Sequence, residues 1–153
     1  MHYVEAPQSY DGNLVRLYAA SLFLAGGITG CPDWQQEMVE ALRQTPLILF
    51  NPRRSQFLPH EDAAKEQITW EHTYLRKAAA ISFWFPKETL CPIVLYELGA
   101  WSMTEKQLFI GVHPEYQRKQ DVQIQTSLAR PDIHLVASLE ELAQEIVAWA
   151  AGL

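Results

Sequence analysis

The sequence predicts an α/β fold: a flavodoxin-like, doubly wound parallel sheet of five strands in the order 2-1-3-4-5, with helices on both faces. Short apolar runs, typical of strands buried on both faces, alternate with amphipathic segments typical of helices. The 153 residues, 48% of them hydrophobic, suffice for one covered core and not for two. We therefore predict an N-terminal arm over residues 1–18, where no periodicity is clear, and a single domain over residues 19–153.

Each predicted strand is a short apolar run, and the first three end at residues that favour turns. Two glycines follow the first run, an Asn-Pro pair follows the second and a proline follows the third. The last two runs are separated by a weaker helical segment. In chain order, the predicted strands span residues 20–25, 46–50, 80–85, 107–112 and 132–136.

The predicted helices carry start signals or apolar stripes. A Pro-Asp pair can begin the first, Pro92 begins the third, and Ser138 with Glu141 three residues later forms a capping box at the start of the last. In chain order, they span about 33–44, 62–77, 92–103, 119–129 and 138–151. Ligands of such sheets bind at the carboxyl ends of the strands, near the switch point between strands 1 and 3. The site is therefore expected in segments 25–30, 51–60 and 86–97.

Composition excludes several classes of function. A formal net charge of −6 and a pI near 5.3 argue against a nucleic-acid polymer as partner, since that backbone requires a basic surface. No uncharged apolar run approaches the roughly 18 residues of a membrane span, and no signal-peptide pattern is visible. Cys31 and Cys91 are too few for a disulfide framework and show no metal-ligand spacing. We expect a cytoplasmic protein with neither metal nor cofactor, binding small molecules and copies of itself.

Glu97 is the most informative residue, because it is the one charged residue between Thr89 and Met103. On a helix that begins at Pro92, it lies along an apolar strip. An unpaired buried carboxylate costs several kcal/mol, so such a residue is normally hydrogen-bonded, paired, protonated or functional. The structural alternative is a glutamate that accepts from a backbone amide or pairs with an arginine.

Glu71 is a second carboxylate on an inward-facing stripe, on the helix that precedes strand 3. It can reach the same crevice as Glu97, and paired carboxylates in a cleft suit glycosyl transfer. The alternative is an ion pair of Glu71 with Arg76 or Lys77 on a solvated face.

Three further features are weaker candidates for binding. Glycines such as Gly26 and Gly27 permit close approach of a ligand to the backbone, although they form neither a dinucleotide nor a triphosphate motif. Asn51 and Arg53 offer amide and guanidinium donors to a planar ligand, or belong to a solvated loop. Trp70 and Trp101, beside the two carboxylates, are candidate walls of a pocket or an interface.

Cys91 stands near the start of its helix, where the pKa of a thiol can be lowered. No histidine has a sequence position that makes it an obvious base for this thiol. A cysteine nucleophile is therefore a minor alternative to the glutamates.

The chain resembles the nucleoside 2-deoxyribosyltransferase family from about residue 20 to 125. The resemblance rests on Leu-Phe-Leu-Ala-Gly-Gly-Ile at 22–28, Asn-Pro-Arg-Arg at 51–54, Trp70-Glu71 and above all Tyr-Glu-Leu-Gly at 96–99. It implies attack of a glutamate, matching Glu97, on C1′ of a 2′-deoxynucleoside. A covalent deoxyribosyl-enzyme then passes the sugar to a second nucleobase or to water. The family's second acidic residue, usually aspartate, matches Glu71.

Several positions depart from the family's pattern. Phe23 stands where a tyrosine often supports the nucleophile, and Cys91 stands where aspartate or serine often approaches the sugar. Gly27 and Thr29 match the phosphate-binding serine and arginine of related nucleotide N-glycosidases, which favours a nucleoside over a monophosphate. Arg118 and Asp121 lie where the family completes the 5′-hydroxyl site of a neighbouring subunit, and this implies a homodimer or a higher homo-oligomer.

These observations favour a deoxyribosyltransferase of nucleotide salvage, acting on purine and potentially pyrimidine deoxynucleosides with a free nucleobase as acceptor. One alternative is a deoxynucleoside N-glycosidase, because partition of the glycosyl-enzyme depends on how completely the pocket excludes water. The other is a non-catalytic nucleotide-sensing module of the same fold.

Overall fold

The computed structural model describes residues 1–56 and 59–153; residues 57 and 58 of the predicted site segment 51–60 lie outside that description. The described strands are β1 (His2–Glu5), β2 (Ser21–Gly26), β3 (Ile48–Asn51), β4 (Ala80–Phe85), β5 (Gln107–Val112) and β6 (Leu135–Val136). The described helices are α1 (Leu14–Ala19), α2 (Trp34–Ala41), α3 (Ala63–Lys77), α4 (Pro92–Ser102), α5 (Lys119–Ala129) and α6 (Leu139–Ala150).

The strands form one parallel sheet in the order β1-β3-β2-β4-β5-β6. An α/β fold with a parallel sheet and helices on both faces is confirmed, but the prediction of five strands in the order 2-1-3-4-5 is wrong. The sixth strand is β1, which pairs with β3 from His2 beside Ile48 to Glu5 beside Asn51. Residues 1–18, predicted as an arm, thus contribute β1 to the edge of this sheet and most of α1.

The core lies in two layers, because the side chains of each strand alternate between the faces of the sheet. On β4, Ile81, Phe83 and Phe85 pack with α1, α3, α4 and α5, whereas Ala80 and Trp84 pack with α2 and α6. The first layer positions α3 and α4, the two helices that carry the predicted carboxylates. No helix in the described ranges is both long and apolar enough to cross a membrane.

The ends of the helices agree with their start and stop signals. Pro92 is the first residue of α4, where its missing N–H costs nothing. The capping box at the start of α6 is confirmed: the hydroxyl of Ser138 accepts from the amide of Glu141, whose carboxylate accepts from the amide of Ser138.

Candidate active site

A cavity of about 800 Å³ opens at the carboxyl ends of β2, β3 and β4, between α3 and α4. Residues from all three predicted segments line it, as the switch-point rule for doubly wound sheets requires. The rest of the cavity wall comes from α3 and α4. Each helix contributes residues three or four positions apart, which lie on one face of the helix. The lining residues of these two helices are Ile68, Glu71, His72, Leu75, Arg76, Pro92, Ile93, Val94, Tyr96, Glu97, Ala100 and Trp101.

Glu97 lies on the cavity side of α4, while Leu98, the next residue, is buried in the core. Burial, and secondly the negative charge of Glu71, raise the pKa of Glu97 to about 7. Across residues 1–56 and 59–153, neither a hydrogen-bond donor nor a cation acts on its carboxylate. Neither structural alternative, a backbone cap or an arginine pair, therefore describes Glu97.

Glu71 lies on the cavity side of α3. Gln67, one turn earlier on the same helix, donates from Nε2 to Glu71 Oε1 at 2.8 Å. Burial raises the pKa of Glu71, whereas the hydrogen bond from Gln67 and the charge of Arg54 act in the opposite direction. Neither Arg76 nor Lys77 forms an ion pair with Glu71 among the residues described, so the alternative of a solvated ion pair is wrong.

Gln67, the partner of Glu71, also contacts Arg54, which was not among the predicted site residues. Arg54 Nε donates to Gln67 Oε1 at 2.6 Å, and its guanidinium also pairs with Glu66 at 2.9 Å. Gln67 Nε2 donates a second bond, to the carbonyl oxygen of Pro52 at 2.8 Å. The spacing of Gln67 and Glu71, four residues apart on a predicted helix, is the signal that points to this pair.

Gly26 and Gly27, the glycines of the turn after β2, line the cavity as predicted. Phe23, from β2 itself, lines it as well. Gly26 is required by packing as well: a Cβ there would lie 2.3 Å from the Trp34 ring and 2.7 Å from the Trp84 carbonyl oxygen. The group that closely approaches the backbone of Gly26 is therefore the ring of Trp34, a residue of the protein itself.

Cys91 lines the cavity and precedes α4 with a left-handed backbone, φ 50°. Its thiol is buried, and burial raises its pKa to about 11. The expected lowering of this pKa at a helix start is wrong, because desolvation of the thiolate outweighs the helix terminus. A thiol with this pKa is protonated at neutral pH, which disfavours Cys91 as a nucleophile.

Asn51 and Arg53 do not line the cavity. The Asn51 side chain is 4% exposed, donates to the Tyr3 hydroxyl and accepts from the amide of Arg53. The Arg53 guanidinium donates to the carbonyl oxygens of Pro32 and Cys31, at 2.9 and 3.3 Å. Both side chains stabilise the protein's own loops, and the structure does not bring them to the two carboxylates.

Trp70 also lies outside the cavity, although its neighbour Glu71 lines it. Its ring packs on Phe23 and Phe50 in the core, and its Nε1 donates to the Gln8 carbonyl oxygen at 2.7 Å. Successive helical residues are separated by about 100°, so Trp70 and Glu71 face different surroundings. Trp101, by contrast, lines the cavity.

Arg118 and Asp121 form an exposed ion pair of 3.4 Å at the start of α5, and neither lines the cavity of its own chain. Within the ranges described, no three His, Cys, Asp or Glu side chains are grouped so as to hold a metal ion. The cavity thus combines two carboxylates of different hydrogen bonding with mostly apolar walls, an arrangement suited to glycosyl chemistry.

Comparisons with known proteins agree with this architecture. The family model described as "Nucleoside 2-deoxyribosyltransferase like" matches residues 19–116, which include β2 to β5 and both carboxylates. A crystal structure of a conserved protein from Enterococcus faecalis V583 is similar, with a TM-score of 0.61 and 15% sequence identity, over 83% of this chain and 96% of that chain. At this identity the likeness shows the fold alone. No curated protein matches the chain.

Proposed function

This chain belongs to the nucleoside 2-deoxyribosyltransferase-like family, and on that premise we propose that it transfers 2-deoxyribose between nucleobases through a covalent glycosyl-enzyme on Glu97. One observation carries the proposal: two carboxylates from separate helices, Glu71 and Glu97, line one cavity and interact electrostatically. A glycosyl transfer needs both a nucleophile and a proton donor, and carboxyl groups supply both.

Glu97 is the proposed nucleophile, because its ionised carboxylate has no competing hydrogen-bond donor among the described residues. It attacks C1′ of the deoxynucleoside; the C1′–O bond forms while the C1′–N bond to the base breaks. The leaving base keeps the electron pair of that bond. Without a 2′-hydroxyl, the sugar reaches its oxocarbenium-like transition state readily.

Glu71 is the proposed acid and base. It gives its proton to the leaving base, and in the second half of the reaction it takes a proton from the incoming base. The nitrogen of that base then forms the new C1′–N bond, and Glu97 leaves as a carboxylate. Burial raises the pKa of Glu71, the direction that an acid role requires, and its electrostatic interaction with Glu97 couples the titration of the two carboxyl groups.

We propose a homodimer or a higher homo-oligomer as the working form. Glu97 is the one charged residue of the largely apolar helix α4, yet Ile93 is 65% exposed and Tyr96 is 78% exposed. An apolar helix surface of this kind is typical of an interface. A partner subunit seated there would bring its residues close to the cavity, and Arg118 and Asp121 are the candidates for its contribution.

The deciding experiment incubates the enzyme with deoxyinosine, with and without free adenine, and separates the products by chromatography. We expect deoxyadenosine and hypoxanthine when adenine is present. Free deoxyribose as the main product would indicate a hydrolase instead, and ligand binding without release of any base would indicate a non-catalytic module. Deoxyinosine 5′-monophosphate in place of deoxyinosine should react more slowly, because we propose a nucleoside as substrate.

Two variants complete this assay. Glu97→Gln should fold and bind but lose base exchange by at least about a thousandfold, since the amide is a poor nucleophile. Glu88→Gln removes an exposed carboxylate from the neighbouring loop, outside the cavity lining, and should exchange bases at the rate of the unmodified enzyme.

A further inference from the structure

The side-chain amide of Gln67 is held between one donor and two acceptors. Its Oε1 accepts from Arg54 Nε at 2.6 Å, and its Nε2 donates to the Pro52 carbonyl oxygen and to Glu71 Oε1, both at 2.8 Å. All three contacts are short, and the partners come from two parts of the chain: Pro52 and Arg54 from the segment after β3, and Glu71 from the next turn of α3.

These contacts leave the amide only one orientation. A guanidinium nitrogen can only donate, so the amide atom facing Arg54 is the oxygen; a backbone carbonyl can only accept, so the atom facing Pro52 is the nitrogen. If the amide were turned by 180°, its N–H group would face the N–H of Arg54 and its oxygen would face the carbonyl oxygen of Pro52. The N–H of Gln67 that faces Glu71 is therefore fixed by its two other partners.

A fixed N–H against Oε1 determines where the carboxyl group of Glu71 can carry a proton. A proton on Oε1 would point at the N–H of Gln67, whereas Oε2 has no donor among the described residues. We infer that Gln67 is a positioning residue: it directs the dissociable proton of Glu71 to Oε2 and keeps that oxygen available to the cavity. This inference rests on the proposed function, in which Glu71 supplies a proton to the leaving base.

The donor also favours the charged form of Glu71, and Arg54 strengthens it by polarising the amide. Loss of the Gln67 amide should therefore have two effects that a general loss of packing would not produce. The pKa of Glu71 should rise, and its proton should no longer be confined to one oxygen.

The test is a carboxyl-carbon NMR titration of Glu71 in the free enzyme, together with the pH profile of kcat/KM. In Gln67→Met, which keeps the length of the side chain and removes the amide, the pKa of Glu71 should rise by about one unit. We expect kcat/KM to fall by about tenfold, and the limb of the profile that reports Glu71 to move in the same direction. Gln67→Asn keeps a polar amide but is too short to reach Glu71. The pKa of Glu71 in this variant should match that in Gln67→Met, and such agreement would show that the rise does not come from a folding defect of the Met variant.

The matched control is Glu66→Gln, the neighbouring residue, which removes the ion pair with Arg54 and leaves the contacts of Gln67 in place. It should leave both the titration and the pH profile unchanged. An unchanged Glu71 titration in Gln67→Met, or a slower enzyme whose profile does not move, would overturn the inference. Because the titration requires no turnover, it tests the contact even if base exchange itself is absent and the proposed function fails.

Discussion

Glu71 on α3 and Glu97 on α4 line the same cavity, and the negative charge of Glu71 adds to burial in raising the pKa of Glu97 to about 7. Two interacting carboxyl groups lose their protons as a pair, in steps that belong to both. Between the two steps the pair holds one proton, which either carboxyl group can carry, and this is the number that a nucleophile and an acid acting together require.

The pH dependence of catalysis should be bell-shaped. Below the lower step of the pair both carboxyl groups are protonated and Glu97 cannot attack, and above the upper step both are ionised and no proton is left for the leaving base. In Glu71→Gln the pKa of Glu97 should fall, because a like charge is removed, and activity should drop by about 10²–10⁴. The residual kcat/KM should rise with pH to a plateau; an alkaline limb that persists unchanged in this variant would contradict the shared proton.

Glu97→Gln should stabilise the protein above neutral pH. The pKa of Glu97 is raised on folding from 4.5 to about 7, so the folded state binds more protons in that interval and stability falls as pH rises through it. The amide avoids this cost and should raise the free energy of unfolding by about 3 kcal/mol at pH 8, and by less than about 1 kcal/mol at pH 5. Urea denaturation at both pH values measures this.

The exposed Glu88→Gln should show no such difference between the two pH values. Equal stability of Glu97→Gln and the unmodified protein at pH 8 would mean that Glu97 is not buried as described.

The sequence was informative wherever one residue conflicted with its surroundings. A single carboxylate within an apolar helix predicted the place of Glu97, and the apolar runs predicted β5 with its observed bounds. The strand β1 was missed because its four residues, His-Tyr-Val-Glu, form no apolar run, and pairing with β3 alone makes them a strand.

Neighbouring residues were harder to separate. The Arg-Arg pair after β3 predicted a guanidinium near the site, but the path of the backbone decides which one points there. Arg53 turns to the loop before α2, and Arg54 reaches Gln67. Trp70 was a candidate wall of a pocket or an interface because it precedes Glu71, but adjacency along the chain does not show which face of the helix a residue occupies, and Trp70 packs in the core.

Lys106 should stabilise the two helices that carry the carboxylates. Its ammonium donates to the carbonyl oxygens of Leu75, Arg76 and Ala78 at the end of α3, and it lies 5.0 Å from the centre of the Trp101 ring. Lys106→Met should lower the free energy of unfolding by about 1–3 kcal/mol, as three carbonyls lose a charged donor.

Urea denaturation near neutral pH measures the effect of Lys106→Met. The matched control is Lys77→Met, an exposed lysine at the end of the same helix, which should change stability by less than about 0.5 kcal/mol. Similar losses for both variants would show that Lys106 acts only through the charge at the helix end.

Tyr96→Glu should disrupt the proposed homo-oligomer. It places a charge in the centre of the exposed apolar surface of α4, and a charge without a partner opposes burial there. Light scattering should show a smaller assembly, and the base-exchange assay should show lower activity. Val15→Glu alters a residue of α1 that is equally exposed, 78%, and should leave both unchanged. An unmodified protein that is monomeric at working concentrations would rule out the interface.

The most direct test of the central claim is the mass of the enzyme during turnover. After rapid acid quenching with deoxyinosine and no acceptor base, a fraction of the protein should be heavier by one deoxyribose less one water. Peptide mapping should place that addition on Glu97, and Glu97→Gln should carry none. An addition on another residue, or base exchange at full rate with no covalent species under any quench, would contradict a glycosyl-enzyme on Glu97.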